Sequence, residues 1–225
     1  MPNPFRPWAL VPAYQAGKTV GAVVAGLAPS VERVVVVDDG STDRTGAEAE
    51  AAGAEVLRLS QNGGKGTALR AGLARVLAGD ATHVAFVDAD GQHDPADLPR
   101  MLEAAREGDG FVIGSRMADL EAIPFYRFRT NEIGSEVLSR MAGHHVEDAQ
   151  SGYRVVAADV LRKLDLNARG YIIETEILLK ASPHVRRFRH VPIRAIYGRP
   201  SHYRPFRDTW VISWGAVYYK VFEMD

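Results

Sequence analysis

In the first half of the chain, short β-branched runs alternate with helix-like segments, and the runs stop on clusters of acid and glycine. Residues 8–12 read as a first strand and 18–27 as a helix. Residues 33–37 form a β-branched run ending in Asp38-Asp39-Gly40. An alanine-rich helix over 42–52 closes on Gly53 as its C′ glycine. A third strand over 55–59 leads through Asn62-Gly63-Gly64-Lys65-Gly66 into a helix over 65–77. A fourth, over 82–87, stops at Asp88-Ala89-Asp90. Asp94-Pro95 then opens a helix, with Asp as N-cap and Pro at N1, and 110–113 are a fifth strand. Alternation of this kind predicts an α/β fold, a mostly parallel central sheet flanked by helices with right-handed crossovers. Ligands in such folds bind beyond the carboxyl ends of the strands, where all three polar clusters fall.

The second half is less regular. Residues 125–142 read as a helix with basic and aromatic residues at its start, 148–154 as a polar loop, 174–181 as a helix, 185–197 as one or two strands, and 209–222 as an amphipathic helix. There is no internal repeat or linker, so residues 1–225 are read as a single domain. A net charge of −1 gives no global basic field for nucleic acid. The absence of cysteine excludes disulfides and Cys-ligated zinc. The proline-rich start is unlike a signal peptide, and no apolar stretch is long enough to span a bilayer. These features together predict a cytoplasmic protein that rests at most peripherally on the inner face of the cell membrane.

Two carboxylates one residue apart, Asp88 and Asp90, can reach one hard cation if the chain turns, and Gln92 adds a neutral carbonyl. Such a cation would neutralise a departing diphosphate. Asp39, at the end of a strand, can accept hydrogen bonds from a nucleobase or ribose. The glycines before Lys65 let backbone amides approach an anion at the start of a helix. This is not a Walker A loop, because Gly66 stands where Ser or Thr is required. Taken alone, each cluster also fits an ordinary turn or helix cap. His93, His144 and His145 lack zinc spacing and read as surface or loop residues.

The motifs in order are specific: Val11-Pro12-Ala13-Tyr14, Val36-Val37-Asp38-Asp39-Gly40-Ser41-Thr42-Asp43, Gly63-Gly64-Lys65-Gly66, Asp88-Ala89-Asp90-Gly91-Gln92-His93, Gly114-Ser115-Arg116 and Gln150-Ser151-Gly152-Tyr153-Arg154. Together they resemble family 2 glycosyltransferases of the GT-A fold, and within them the dolichol-phosphate mannosyltransferase-like and polyprenyl-phosphate glycosyltransferase branch. The resemblance implies an inverting transfer from a nucleotide-sugar (GDP-mannose or a UDP-hexose) to a polyprenyl or dolichyl phosphate. It divides the chain into a nucleotide-binding half over about 9–117 and an acceptor-side half over about 118–225. Pro12 and Tyr14 would line the nucleotide pocket, Asp39 would meet the base, and Lys65 and the Asp88-Ala89-Asp90 segment would meet the donor. Asp88, Asp90 and Gln92 would hold Mg²⁺ or Mn²⁺. Arg116 would sit near donor or acceptor phosphates and Asp148 beside the transfer site. Arg127 and Asn131 would open the acceptor-side helix. The sequence departs from the family at Gln15-Ala16, where Asn-Glu usually follows the tyrosine.

Charge-assisted donors for an acceptor phosphate could come from Arg127, Arg129 and Arg154. A hydroxyl acceptor would instead need a base, for which Asp148 is the candidate. The basic segment from Arg199 to Arg207, followed by the aromatic face of residues 210–222, fits contact with an anionic membrane surface through residues 199–222. It equally fits a closing helix or a homodimer contact. A soluble hydroxyl acceptor remains the alternative. A sugar nucleotidyltransferase would carry a Gly-rich basic loop after its first strand, where Ala13-Tyr14-Gln15-Ala16-Gly17 stands instead. A non-catalytic nucleotide-sugar binder is disfavoured by the intact Asp88 and Asp90.

Overall fold

The computed structural model describes residues 4–117, 125–194 and 196. The segment 199–222 lies outside the described residues, and so do the side chains of 125–127, which include Arg127. The first strand, β1 (Pro7–Ala13), is apolar throughout and sits mid-sheet. Its side chains alternate between the two faces. Leu10 packs with Leu69, Leu73 and Val76 on one face, while Ala9 and Val11 pack with Val20, Val23, Val24 and Leu27 on the other. The seven strands among the described residues join one sheet, which also contains β2 (Arg33–Asp38), β3 (Glu55–Arg58), β4 (His83–Phe86), β5 (Phe111–Ser115), β6 (Arg154–Ala157) and β7 (Arg189–Pro192), in the order β3-β2-β1-β4-β6-β5-β7.

Helices α1 (Val20–Leu27), α2 (Thr45–Ala51), α3 (Lys65–Leu77) and α4 (Leu98–Arg106) follow the strands as the alternation predicts. The predicted boundaries of α3 and of α5 (Phe125–Ala142) match the structure. The short α6 (Ala158–Leu161) and α7 (Ile172–Ala181) complete the α-helices among the described residues. The cap expected at Asp94 is present, its side chain accepting from the Ala96 amide at 3.0 Å, although it opens a 3₁₀ turn (Pro95–Asp97) ahead of α4. None of the described helices is long and apolar enough to cross a membrane.

One strand has no counterpart in the sequence reading. Residue 154 reads from sequence as the last of a polar loop, and 155–157 give no strand signal, yet 154–157 form β6 between β4 and β5. β6 runs antiparallel to both neighbours, with Arg154 opposite Phe86 and Ile113. Four residues opening on an arginine carry too little periodicity to register. The strand has a positional consequence. The start of an antiparallel strand lies at the same edge as the ends of parallel ones, so the loop before β6 joins the polar clusters after β2, β3 and β4.

Close approach of α3 to the sheet depends on Gly72. A Cβ there would strike Leu10 Cδ1 and lie 2.8 Å from Val37 Cγ2. Overpacking costs about 1–3 kcal/mol, more than the ~1 kcal/mol an alanine gains in helix propensity. Gly72→Ala is therefore expected to lower the urea midpoint. An unchanged or raised midpoint would show that α3 has room to retreat.

Candidate active site

Lys65 opens α3, where a cation opposes the helix dipole, so the position needs nearby negative charge. Two carboxylates supply it. Lys65 Nζ donates to Asp88 Oδ1 at 2.5 Å and lies 2.9 Å from Glu174 Oε1 in the first turn of α7. Burial alone would lower the Lys65 ammonium, but Asp88 and Glu174 outweigh it and hold the group well above its ordinary value. For Asp88, burial would raise the carboxyl, yet Lys65, with His93 and Arg116, pulls it below the usual range. Pro12, Lys65, Asp88, Gly152, Arg154 and Glu174 share the lining of one cleft, floored by Leu69, Phe86 and Ile177.

Gly152 shapes that cleft. A Cβ at this position would stand 2.9 Å from Asp88 Oδ2 and 2.9 Å from Glu174 Oε1, so a side chain there would push into both carboxylates. The Asp88–Gln92 loop is folded on itself, with the Gln92 amide donating to Asp90 Oδ1 at 2.9 Å. It is also tied to neighbours. Thr19 Oγ1 donates to the Ala89 carbonyl at 2.6 Å, and the Ile196 amide donates to the Gln92 carbonyl at 2.9 Å. Asp39 is buried, and its two oxygens accept from the Gly63 and Gly64 amides at 2.8 Å each, so this carboxylate organises the glycine turn before Lys65. Tyr14 stands at the surface just beyond β1, 39 % exposed.

A second group forms around Asp148, which is fully buried. It accepts from Arg116 Nε and Nη2 at 2.8 Å, from the Arg116 amide at 3.0 Å, and from Asn131 Nδ2 at 2.8 Å. Burial would raise its carboxyl, but the Arg116 guanidinium overrides this and holds it below the ordinary value. A carboxylate saturated in this way is a weak base. Arg154 is also buried, and its guanidinium donates to the carbonyls of Ala149, Ser151 and Glu174. From sequence it reads as a phosphate donor, whereas here its planar fork stitches the loop before β6 to α7. Asn131 is likewise buried against Asp148, and Arg129 pairs with Glu132 on the exposed face of α5. The two groups share one electrostatic field, since Lys65, Asp88, Arg116 and Asp148 all act on His93.

Three contributors escape a reading of the sequence alone. Glu174 reads there as the start of a helix and nothing more. Gly152 is only a motif letter, its role visible once both carboxylates are in place. His93, expected at the surface or in a loop, is 6 % exposed, with its ring centroid 5.1 Å from that of Tyr153 and Nε2 3.9 Å from Asp88 Oδ2. Its position after an acidic loop disguises a side chain that turns inward.

The sequence profile of a family described as "Glycosyl transferase family 2" matches residues 8–165. The chain is 33 % identical over 202 residues to an undecaprenyl-phosphate mannosyltransferase of Micrococcus luteus, covering 84 % of this chain and 83 % of that protein. It is 31 % identical over 221 residues to the glycosyltransferase AglJ of Haloferax volcanii, covering 94 % and 71 %. Among solved structures, glucosyl-3-phosphoglycerate synthase from Mycobacterium tuberculosis, in complex with Mn²⁺, uridine diphosphate and glucosyl-3-phosphoglycerate, matches with a TM-score of 0.74 at 23 % identity. That match covers 95 % of this chain and 77 % of the other, and at this identity it speaks for a shared fold.

The burial of His93 and Asp148 makes both testable by stability. Burial, together with the Arg116 and Lys65 charges, lowers His93 from 6.5 to about 4. Between those values the unfolded chain takes up a proton that the folded chain refuses, so His93 withdraws stability as pH falls from 6.5 towards 4. His93→Gln should flatten the pH dependence of the urea midpoint in that window, and an unchanged slope would contradict a buried neutral imidazole. Asp148→Asn leaves Arg116 without its counter-charge. Breaking a buried pair costs about 3 kcal/mol, so chemical denaturation should show a loss of that order, and a neutral result would mean that Arg116 finds another anchor.

Proposed function

The chain belongs to glycosyl transferase family 2, and on that footing we propose that it is a metal-dependent, inverting hexosyltransferase whose acceptor is a polyprenyl phosphate. That it is a glycosyltransferase moving a sugar from a nucleotide-sugar follows from the family; the metal, stereochemistry and acceptor are our reading. The donor lies over the nucleotide-binding half, about residues 9–117, and the acceptor over the remaining half, about 118–225. Pro12 and Tyr14 line the nucleotide pocket, Asp39 holds the glycine turn beside it, and Lys65 meets the donor diphosphate.

Asp88, Asp90 and Gln92 are the residues that would hold Mg²⁺ or Mn²⁺. All three offer oxygen, the donor chemistry hard divalent ions take. The ammonium of Lys65 against Asp88 is consistent with a place built for positive charge. Mg²⁺ and Mn²⁺ commonly take their remaining ligands from substrate phosphate and water, so two carboxylates and one amide oxygen suffice on the protein side. A divalent cation bound there supplies charge neutralisation for the leaving diphosphate.

In the transfer, the bond between the anomeric carbon and the donor phosphate oxygen breaks. A new bond forms from an acceptor oxygen on the opposite face, inverting the centre. The observation that carries the acceptor assignment is the state of Asp148. Its oxygens are spent on Arg116 and Asn131, and its carboxyl is held below the ordinary range. Such a group suits a nucleophile that arrives already ionised, as a phosphate does, better than a hydroxyl that needs a base. Asp148 then works by holding Arg116, a rigid donor for donor or acceptor phosphate. The name of the Micrococcus luteus relative supports the same acceptor class. Arg127 and the proposed membrane contact through residues 199–222 are supported by sequence alone.

The test is a panel of nucleotide-sugars (GDP-mannose, UDP-glucose and UDP-N-acetylglucosamine) with Mn²⁺ or Mg²⁺, with and without a polyprenyl phosphate. One donor should turn over only with metal and lipid phosphate present. Asp90→Ala should lower kcat by at least about 10²-fold, the scale of losing a charge stabiliser of the transition state. Turnover with a water-soluble hydroxyl acceptor, and none with the lipid phosphate, would overturn the acceptor assignment.

A further inference from the structure

Lys65 is placed at a cost. It stands at the positive end of α3, and its side chain is 13 % exposed, so both the helix dipole and desolvation disfavour its charge. Asp88 and Glu174 together offset this. Asp88 belongs to the proposed cation site, whereas Glu174 does not, although its side chain is turned into the same cleft. Glu176, two residues further on, points elsewhere and is occupied by the Asn167 and Ala168 amides and by Lys180. The pairing with Lys65 is therefore particular to Glu174.

A divalent ion at Asp88 and the Lys65 ammonium repel each other if they share one carboxylate. A second carboxylate within reach removes that conflict. Lys65 Nζ already reaches both carboxylates, 2.5 Å from Asp88 Oδ1 and 2.9 Å from Glu174 Oε1, so it can give up Asp88 and stay on Glu174 without leaving the cleft. Resting on the reading of Asp88 and Asp90 as a cation site, we propose that Lys65 is an exchangeable counter-cation. It neutralises Asp88 while that carboxylate is unligated, and Glu174 retains it when a divalent cation takes Asp88. Glu174 is then a positioning residue for cation capture, acting through Lys65.

The test is binding of Mn²⁺ alone, followed by electron paramagnetic resonance of the free ion. It uses the full chain and the variants Glu174→Gln, Glu174→Asp, Lys65→Met and the double variant Lys65→Met/Glu174→Gln, with folding checked by circular dichroism. Glu174→Gln should weaken Mn²⁺ binding roughly tenfold, within the range of measured couplings between contacting residues. Glu174→Asp should keep most of the affinity, and Lys65→Met should bind at least as tightly as the parent. In the Lys65→Met background, Glu174→Gln should change affinity by less than about twofold. An equal loss with and without Lys65 would mean that Glu174 acts through its field alone, and would overturn the exchange while leaving the cation site standing. Unchanged Mn²⁺ binding in folded Glu174→Gln would overturn it as well. A parent chain that binds no Mn²⁺, either alone or with a nucleoside diphosphate added, would remove the cation site itself, and the exchange with it.

Discussion

The buried guanidinium of Arg154 holds the two halves of the site together. It opens β6, opposite Phe86 of β4 and Ile113 of β5, and donates to the carbonyls of Ala149, Ser151 and Glu174. Those bonds fix the loop carrying Asp148 and Gly152 and the start of α7, which carries Glu174. A planar donor with five N–H groups can satisfy several carbonyls at once, which an ammonium on a flexible stem does less well. A buried charge is costly unless its hydrogen bonds are made, so the surrounding backbone has little freedom to rearrange.

Each of these charged side chains has a partner that limits its chemistry. Asp39 serves the glycine turn, Asp148 serves Arg116, and Lys65 divides itself between Asp88 and Glu174. This pattern changes what Asp148 can do. A carboxylate wrapped by a guanidinium and an amide holds its proton acceptor sites closed. The site as a whole places fixed positive charge beside a carboxylate loop.

Much of the fold was legible in local pattern. The β-branched run of β2 and the apolar run of β1 identified buried parallel strands, and the periodicity of α3 and α5 placed both helices at their observed boundaries. The carboxyl-edge clusters came with that alternation, because parallel strands linked by right-handed crossovers put their ends on one side. β6 was not legible. Its four residues are short, open on an arginine, and gain their strand character from pairing with β4 and β5. Glu174 and His93 were hidden for a related reason. One is a helical acid and the other a histidine in an acidic loop, and neither has a local signal separating it from a solvated surface residue.

By itself, the amino-acid order determined the alternating α/β architecture and the edge on which the polar clusters gather, since these depend on spacing and residue type within short windows. Tertiary structure decided which charges meet. Lys65 and Glu174 are far apart in the chain and close only because α3 and α7 pack on the same face of the sheet. Arg154 and Asp148 became buried and saturated through the insertion of an antiparallel strand that no local pattern foretold. Electrostatic partnership is a matter of distance and desolvation, and both are set by packing rather than by sequence neighbours.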